Sequence, residues 1–173
     1  EGRKHGAGLE ILSNKTGYRG EFAYGQKHGR GCFRWPSGAN YNGEFWKDAM
    51  HGQGTFIWGE GMCYRGQWVQ SRMHGKGRFD WPNGRYYEGS YECDQKHGEG
   101  TFNYPDGSKL VGIWERGKQH GLGTQVNPEG VARQGRWRHG ELEHWLGSEL
   151  GDDPPRDLSS TSGTEDAKVI KGL

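Results

Sequence analysis

The chain has 173 residues, 33 of them glycine, with 30% hydrophobic and 13% aromatic residues. Glycine far above its usual ~7% share, with so few aliphatic side chains, excludes a helical bundle and leaves two options: a disordered glycine-rich polymer or a fold built on glycine and aromatic rings. The formal charge of +1 speaks against a nucleic-acid-binding domain, which is normally basic, and no run approaches the ~18 apolar residues of a membrane-spanning helix.

Internal repetition decides between the two options. His-Gly-x-Gly starts at His5, His28, His51, His74, His97 and His120, each 23 residues after the last. A second track, aromatic-x-Gly-x-aromatic, starts at Tyr18, Tyr41, Tyr64 and Tyr87 and continues, degraded, at Leu110 and Arg133. A third places Phe33/Trp35, Phe56/Trp58, Phe79/Trp81 and Phe102/Tyr104 after the histidines. Only Tyr24, Trp46, Tyr86 and Trp145 among the aromatic residues fall off these registers.

Taken in chain order, residues 1–17 form an incomplete first copy, the second strand and turn of a hairpin, as though cut from a longer protein. Repeats follow at 18–40, 41–63, 64–86, 87–109 and 110–132, with a degenerate copy at 133–140. Within each, Tyr64, Gly66 and Trp68, then Gly77, Phe79 and Trp81, alternate at period two, which puts each set on one face of a strand. Pro82-Asn83-Gly84 supplies a return turn, and the polar segment from Val69 to His74 links the two strands. Each unit is therefore predicted as an antiparallel hairpin with its histidine at the hairpin end. The array is all-β, a single elongated, twisted antiparallel sheet of stacked 23-residue hairpins, a solenoid-like meander. Glycine leaves bare backbone on which a neighbouring ring lies flat, so small and large positions interlock.

After the repeats, Leu142, Trp145, Leu146 and Leu150 recur at helical spacing, predicting a short capping helix over 141–150. Residues 151–173 read as a linker and tail, rich in Asp, Pro and Ser at first and ending in Ala167-Lys168-Val169-Ile170-Lys171. Ser162 and Glu165 could open a further short helix.

The unit Tyr-x-Gly-x-Phe/Trp, a short turn, then His-Gly-x-Gly-x-Phe-x-Trp/Tyr-Pro-x-Gly resembles the MORN repeat (membrane occupation and recognition nexus) over about residues 1 to 140. The resemblance implies a curved antiparallel sheet and a largely non-catalytic role. Family members include scaffolds of ciliary radial spokes and apicomplexan cytoskeletons, junctophilins at membrane contacts and adaptors for myosin tails. Other arrays precede catalytic domains such as phosphatidylinositol-phosphate kinases. A cytoplasmic location, with cytoskeletal, ciliary or membrane association, goes with that resemblance.

Candidate sites follow from what a one-layer sheet leaves open. An aromatic face without a second sheet is expected to serve as a groove for a helical or extended protein segment. Its lining is Trp35, Trp58, Trp81 and Tyr104 in one row and Tyr41, Tyr64 and Tyr87 in another. Trp46 and Val69, projecting from the other side, mark a second contact. Lys27, Arg72, Lys96 and Lys118 near the hairpin turns give an alternative reading as an anionic-lipid-binding module. A third alternative is a regulatory or dimerising arm of a larger kinase or cyclase, and open sheet edges invite self-association.

No cofactor, metal or nucleic acid is implied. Equivalent histidines about 10 Å apart cannot share a zinc ion. Cys32, Cys63 and Cys93 have no CxxC spacing, and no catalytic set stands out from the repeat.

Overall fold

The computed structural model describes residues 2–12 and 15–147. All regular structure among these residues is β-strand. Thirteen strands follow one another in sequence order in one antiparallel sheet, and the chain divides into two compact units, residues 1–83 and 84–173. The first unit holds β1 (Gly6–Ile11), β2 (Gly17–Ala23), β3 (Gln26–Arg34), β4 (Asn40–Trp46), β5 (Ala49–Ile57), β6 (Cys63–Val69) and β7 (Arg72–Asp80). The second holds β8 (Tyr86–Glu92), β9 (Gln95–Asn103), β10 (Lys109–Glu115), β11 (Lys118–Val126), β12 (Ala132–Arg138) and β13 (Glu141–Trp145).

Two kinds of turn join the strands. At one end the loop is only two residues, such as Lys47-Asp48 or Gln70-Ser71, with both at positive φ (48° and 68°, 49° and 62°). That is the requirement of a type I′ turn, whose twist matches the flanking strands. The segment from Val69 to His74 is thus mostly strand. The histidines from His28 to His120 are the third residue of each long strand, inside the ladder instead of at the hairpin end. The second turn residue also ties one hairpin to the one before it. Asp48 N–H donates to the Lys27 carbonyl (3.0 Å), and its carboxylate accepts from Lys27 N–H (2.9 Å). Ser71 repeats both contacts on Met50.

At the opposite end Trp35-Pro36-Ser37-Gly38 closes through Gly38 N–H to the Trp35 carbonyl (3.1 Å) and Trp35 N–H to the Ala39 carbonyl (2.9 Å). Proline presets the second position of such a turn.

The glycines of His-Gly-x-Gly have two different tasks. The first, Gly52 for example, sits at positive φ where the β4–β5 register shifts between Gly43 and Glu44. There the Glu44 carboxylate accepts the Gln53 N–H (3.0 Å), and Glu21 and Gln67 do the same for Arg30 (3.0 Å) and Lys76 (2.7 Å). The second, Gly54, pairs across the ladder with Gly43. The Tyr41 ring covers this bare pair, and its hydroxyl donates to the Glu44 carbonyl (3.0 Å).

Around Tyr41 the rings of Phe45 (5.1 Å) and Trp68 (5.5 Å) stand edge-on. Phe56 and Trp58 lie 4.4 Å apart, and Trp58 meets Phe79 at 5.3 Å. Each hairpin is thus walled by rings of the next. A ring of this size removes ~150–250 Å² from water, about 4–6 kcal/mol gross, and this is the core.

The second unit keeps the scheme with substitutions. Tyr87 is flanked by Tyr91 (5.3 Å) and Trp114 (5.2 Å). Where Leu110 replaces the tyrosine, the buried Gln119 amide lies over the Gly112–Gly123 pair.

The predicted helix over 141–150 is not formed in its described part: Glu141–Trp145 is β13, paired with β12. Trp137 pairs with Leu142 and Arg136 with His144, so Glu143 is a bulge. Passing over one residue brings side chains three apart onto one face, the spacing a helical turn would also produce. Leu142 and Trp145 accordingly both face Gly135. Residues 148–150, the linker and the capping-box helix lie outside the described residues.

Candidate functional site

The residues predicted to line an aromatic groove do not form an open surface. Tyr41, Tyr64 and Tyr87 are 0% exposed, each laid over its own glycine pair. Trp58 and Trp81 are buried as well, while Trp35 and Tyr104 are half-buried. The reason is steric. A glycine pair lets the ring lie down on the backbone, and the next hairpin's ring then closes over it, so the face seals with its own side chains. Trp68 and Trp114 confirm this packing, each indole N–H donating to a carbonyl beneath, of Gly54 (3.2 Å) and Gly100 (3.4 Å).

Burial also sets the protonation of these rings. It raises the Tyr18 hydroxyl to about 12, with the Glu21 charge adding to the effect, and raises Tyr41 and Tyr87 above their ordinary range. The buried Cys63 thiol is raised for the same reason.

The lysines assigned to a lipid surface divide. Lys96 is 1% exposed, its ammonium over the rings of Phe102 and Trp114 (both 5.1 Å) and Tyr87 (5.6 Å). Lys27 lies over Phe33 (5.4 Å) and pairs with Asp48 (3.3 Å). Both stand where the neighbouring repeats have Met50 and Met73, and both point into the aromatic layer, away from any headgroup. Arg72 and Lys118 are exposed.

Trp46 and Val69 behave differently. Trp46 is 52% exposed and Val69 41%, on the face opposite the buried rings of Phe45 and Trp68. Trp46 stacks on His28 (4.5 Å), and Lys47 lies over the indole (5.7 Å). Val69 lies one residue beyond the Gly52–Trp68 pair, which sets it beside His51. In the first unit the turn-end row is Ala23, His28, Trp46, His51 and Val69, with Glu21 opposite His28 and Glu44 opposite His51. The corresponding row of the second unit is charged, with His97 against Glu92 (3.5 Å) and His120 against Glu115 (3.8 Å). The sequence singled out Trp46 and Val69 but not their imidazole neighbours, because strand pairing sets His28 and His51 beside them.

Among the described residues no group of three or more His, Cys, Asp or Glu side chains could hold a metal ion. No helix there is long and apolar enough to cross a membrane. Residues 18–39, 41–63, 64–84, 87–109 and 111–131 each match the MORN repeat. The chain belongs to the MORN repeat family.

The matched MORN segments cover the paired strands from β2 to β11, including the tyrosines, the glycine pairs and the bulges of those strands. A comparison with curated proteins found no match. Among solved structures, this MORN chain is similar to the TCP domain of SAS-4 (dCPAP) of Drosophila melanogaster, determined in complex with a proline-rich motif of Ana2 (dSTIL). That similarity has a TM-score of 0.45 and 11% identity, over 82% of this chain and 85% of that chain.

Proposed function

We propose that this chain is a non-enzymatic cytoplasmic scaffold that binds a protein partner, and that the contact is the outer row around Trp46 and Val69 instead of the sealed aromatic face. The observation that carries the reading is the half-exposed indole of Trp46, stacked on His28, on a sheet whose other described tryptophans are buried or half-buried. Tryptophan is enriched among the residues that dominate interface energetics.

The spacing also defines the partner. Trp46 and Val69 are one hairpin apart, about 10 Å at two strand spacings. Seven residues of helix rise about 10.5 Å, so a helical segment with apolar residues at i and i+7 matches both contacts.

The lipid reading has less support, because Lys27 and Lys96 are turned into the aromatic layer. A photo-crosslinking residue placed at Trp46 of the full chain, with a control at Thr55, tests the proposal. An adduct confined to position 46, whose partner loses at least about 30-fold in affinity for Trp46→Ala, is the expected result. Equal labelling at both positions, or unchanged affinity in Trp46→Ala, would refute it.

A further inference from the structure

The outer face of the second unit carries an apolar patch that the repeat does not require. Val111, Ile113 and Leu122 are 39%, 42% and 60% exposed. Every equivalent position in the four preceding repeats is polar or charged, as with Glu88, Ser90 and Glu99 one repeat earlier.

Strand pairing sets two of these residues in a polarised row. Glu99 of β9 pairs with Ile113 of β10, and Leu122 of β11 pairs with Arg136 of β12. Ile113 and Leu122 are neighbours across the β10–β11 bulge, where the register shifts between Gly112 and Ile113. The row therefore reads acid, apolar, apolar, base over adjacent strands, about 14 Å from end to end. Each of its side chains is exposed. Glu143 is held chiefly by Arg138 (2.6 Å, against 3.7 Å for Arg136), so Arg136 keeps a charge to offer.

Such a row is its own complement. Consider a two-fold axis in the contact plane, parallel to the strands and passing between β10 and β11. It lays Arg136 of a second copy over Glu99 and its Ile113 over Leu122, with the reverse contacts beside them. An axis across the strands would set Glu99 against Glu99 and Arg136 against Arg136, so the charges select the first.

We propose that this face binds a second copy of the same chain as a two-fold dimer. The sheets lie about 10 Å apart with their strands roughly aligned, as in a sandwich. The axis brings β8 of one copy over β13 of the other, so the overlap runs from β8 to β13 of each. At ~4.8 Å per strand and ~3.3 Å per residue this covers about 660 Å² a side, about 1,300 Å² in all. That is the low end of stable interfaces, and a dissociation constant on the order of micromolar follows. The contact is separate from the one at Trp46 and gives each assembly two copies of it.

Sedimentation velocity of the full chain, from about 1 to 300 µM, tests the proposal. The expected result is a monomer–dimer equilibrium within that range. Leu122→Asp, which buries an unpaired charge, should weaken it at least about 30-fold. Glu99→Arg and Arg136→Glu, each creating like-charge contacts, should each weaken it at least about 10-fold. An equimolar mixture of these two variants should dimerise again, because each supplies the charge that the other lacks. Near-UV circular dichroism of the variants should match the wild type, since the substituted side chains are exposed. Trp46→Ala should leave the equilibrium unchanged, which keeps this test distinct from that of the Trp46 contact. A monomer at every concentration, dimers that survive Leu122→Asp and so mark edge pairing, or no recovery in the mixture would each overturn the proposal.

Discussion

Replacing Gly54 by alanine tests the packing that underlies the fold. Gly54 is not at positive φ, so the backbone accepts alanine. The added Cβ, however, would come within 2.5 Å of Tyr41 Cε2. The ring cannot retreat, because Phe45 and Trp68 stand edge-on against it at 5.1 and 5.5 Å. Overpacking of this kind costs about 1–3 kcal/mol, and displacing the Tyr41 hydroxyl from the Glu44 carbonyl adds about 1 kcal/mol. Reduced freedom of the unfolded chain returns about 0.4–1 kcal/mol. Gly54→Ala should therefore destabilise by roughly 2–3 kcal/mol, read as a lowered urea midpoint. Gly38→Ala is the control: its φ is +88° and nothing lies within 4 Å of the added methyl, so it should cost only the left-handed strain of about 1 kcal/mol. In a Tyr41→Leu background, copying Leu110, Gly54→Ala should cost nearly nothing. An equal loss with and without the Tyr41 ring, or a Gly54→Ala midpoint matching the wild type, would refute the ring-on-glycine account.

Gln119→Met, the residue found at the equivalent positions 50 and 73, should raise stability by about 1–2 kcal/mol in thermal unfolding. It removes a buried amide whose nitrogen and oxygen both lack a hydrogen-bond partner among the described residues. The turn variant Gln70→Asn should add about 0.5 kcal/mol to the urea stability, since asparagine tolerates the φ of +49° better than glutamine does. Alkaline pH should unfold the protein in a definite window. Tyr18 ionises near 12 when folded against an ordinary 10, so below about 10 its contribution is intact, and as the pH climbs from 10 through 12 the unfolded chain loses its proton first and stability falls. Urea midpoints across that range, read beside tyrosinate absorbance, check this; all eight tyrosines forming tyrosinate near pH 10 with the fold intact would contradict it.

What the residues alone reveal of this fold divides along a physical line. The hairpin period, the glycine pairs and the tyrosines above them were legible because each depends on residues two positions or one strand apart. The accessibility of the rings was not. Whether Tyr64 is open or covered depends on Trp68 of its own hairpin (5.1 Å) closing over it, and on how flat a ring lies once glycine admits it. Period and spacing do not encode that. The helix expected over 141–150 is not formed in its described part for a related reason, because a bulge at Glu143 and a helical turn give the same spacing of apolar residues. The ridge at Trp46 was legible as an exception to the register, whereas its imidazole border required strand pairing. The inward turn of Lys96 was hidden because a lysine near a turn reads as solvated, and only Tyr87, Phe102 and Trp114 around it show otherwise.

The link from the second turn residue back to the main chain twenty-one positions earlier, Asp48 to Lys27 and Ser71 to Met50, makes each of these modules its predecessor's latch. Adding or removing whole modules preserves each latch, whereas inserting a single residue between two of them would break every one it spans. Gene duplication can therefore lengthen such a protein in steps of one module without redesigning a single contact, and its length is free to follow the size of whatever it must hold.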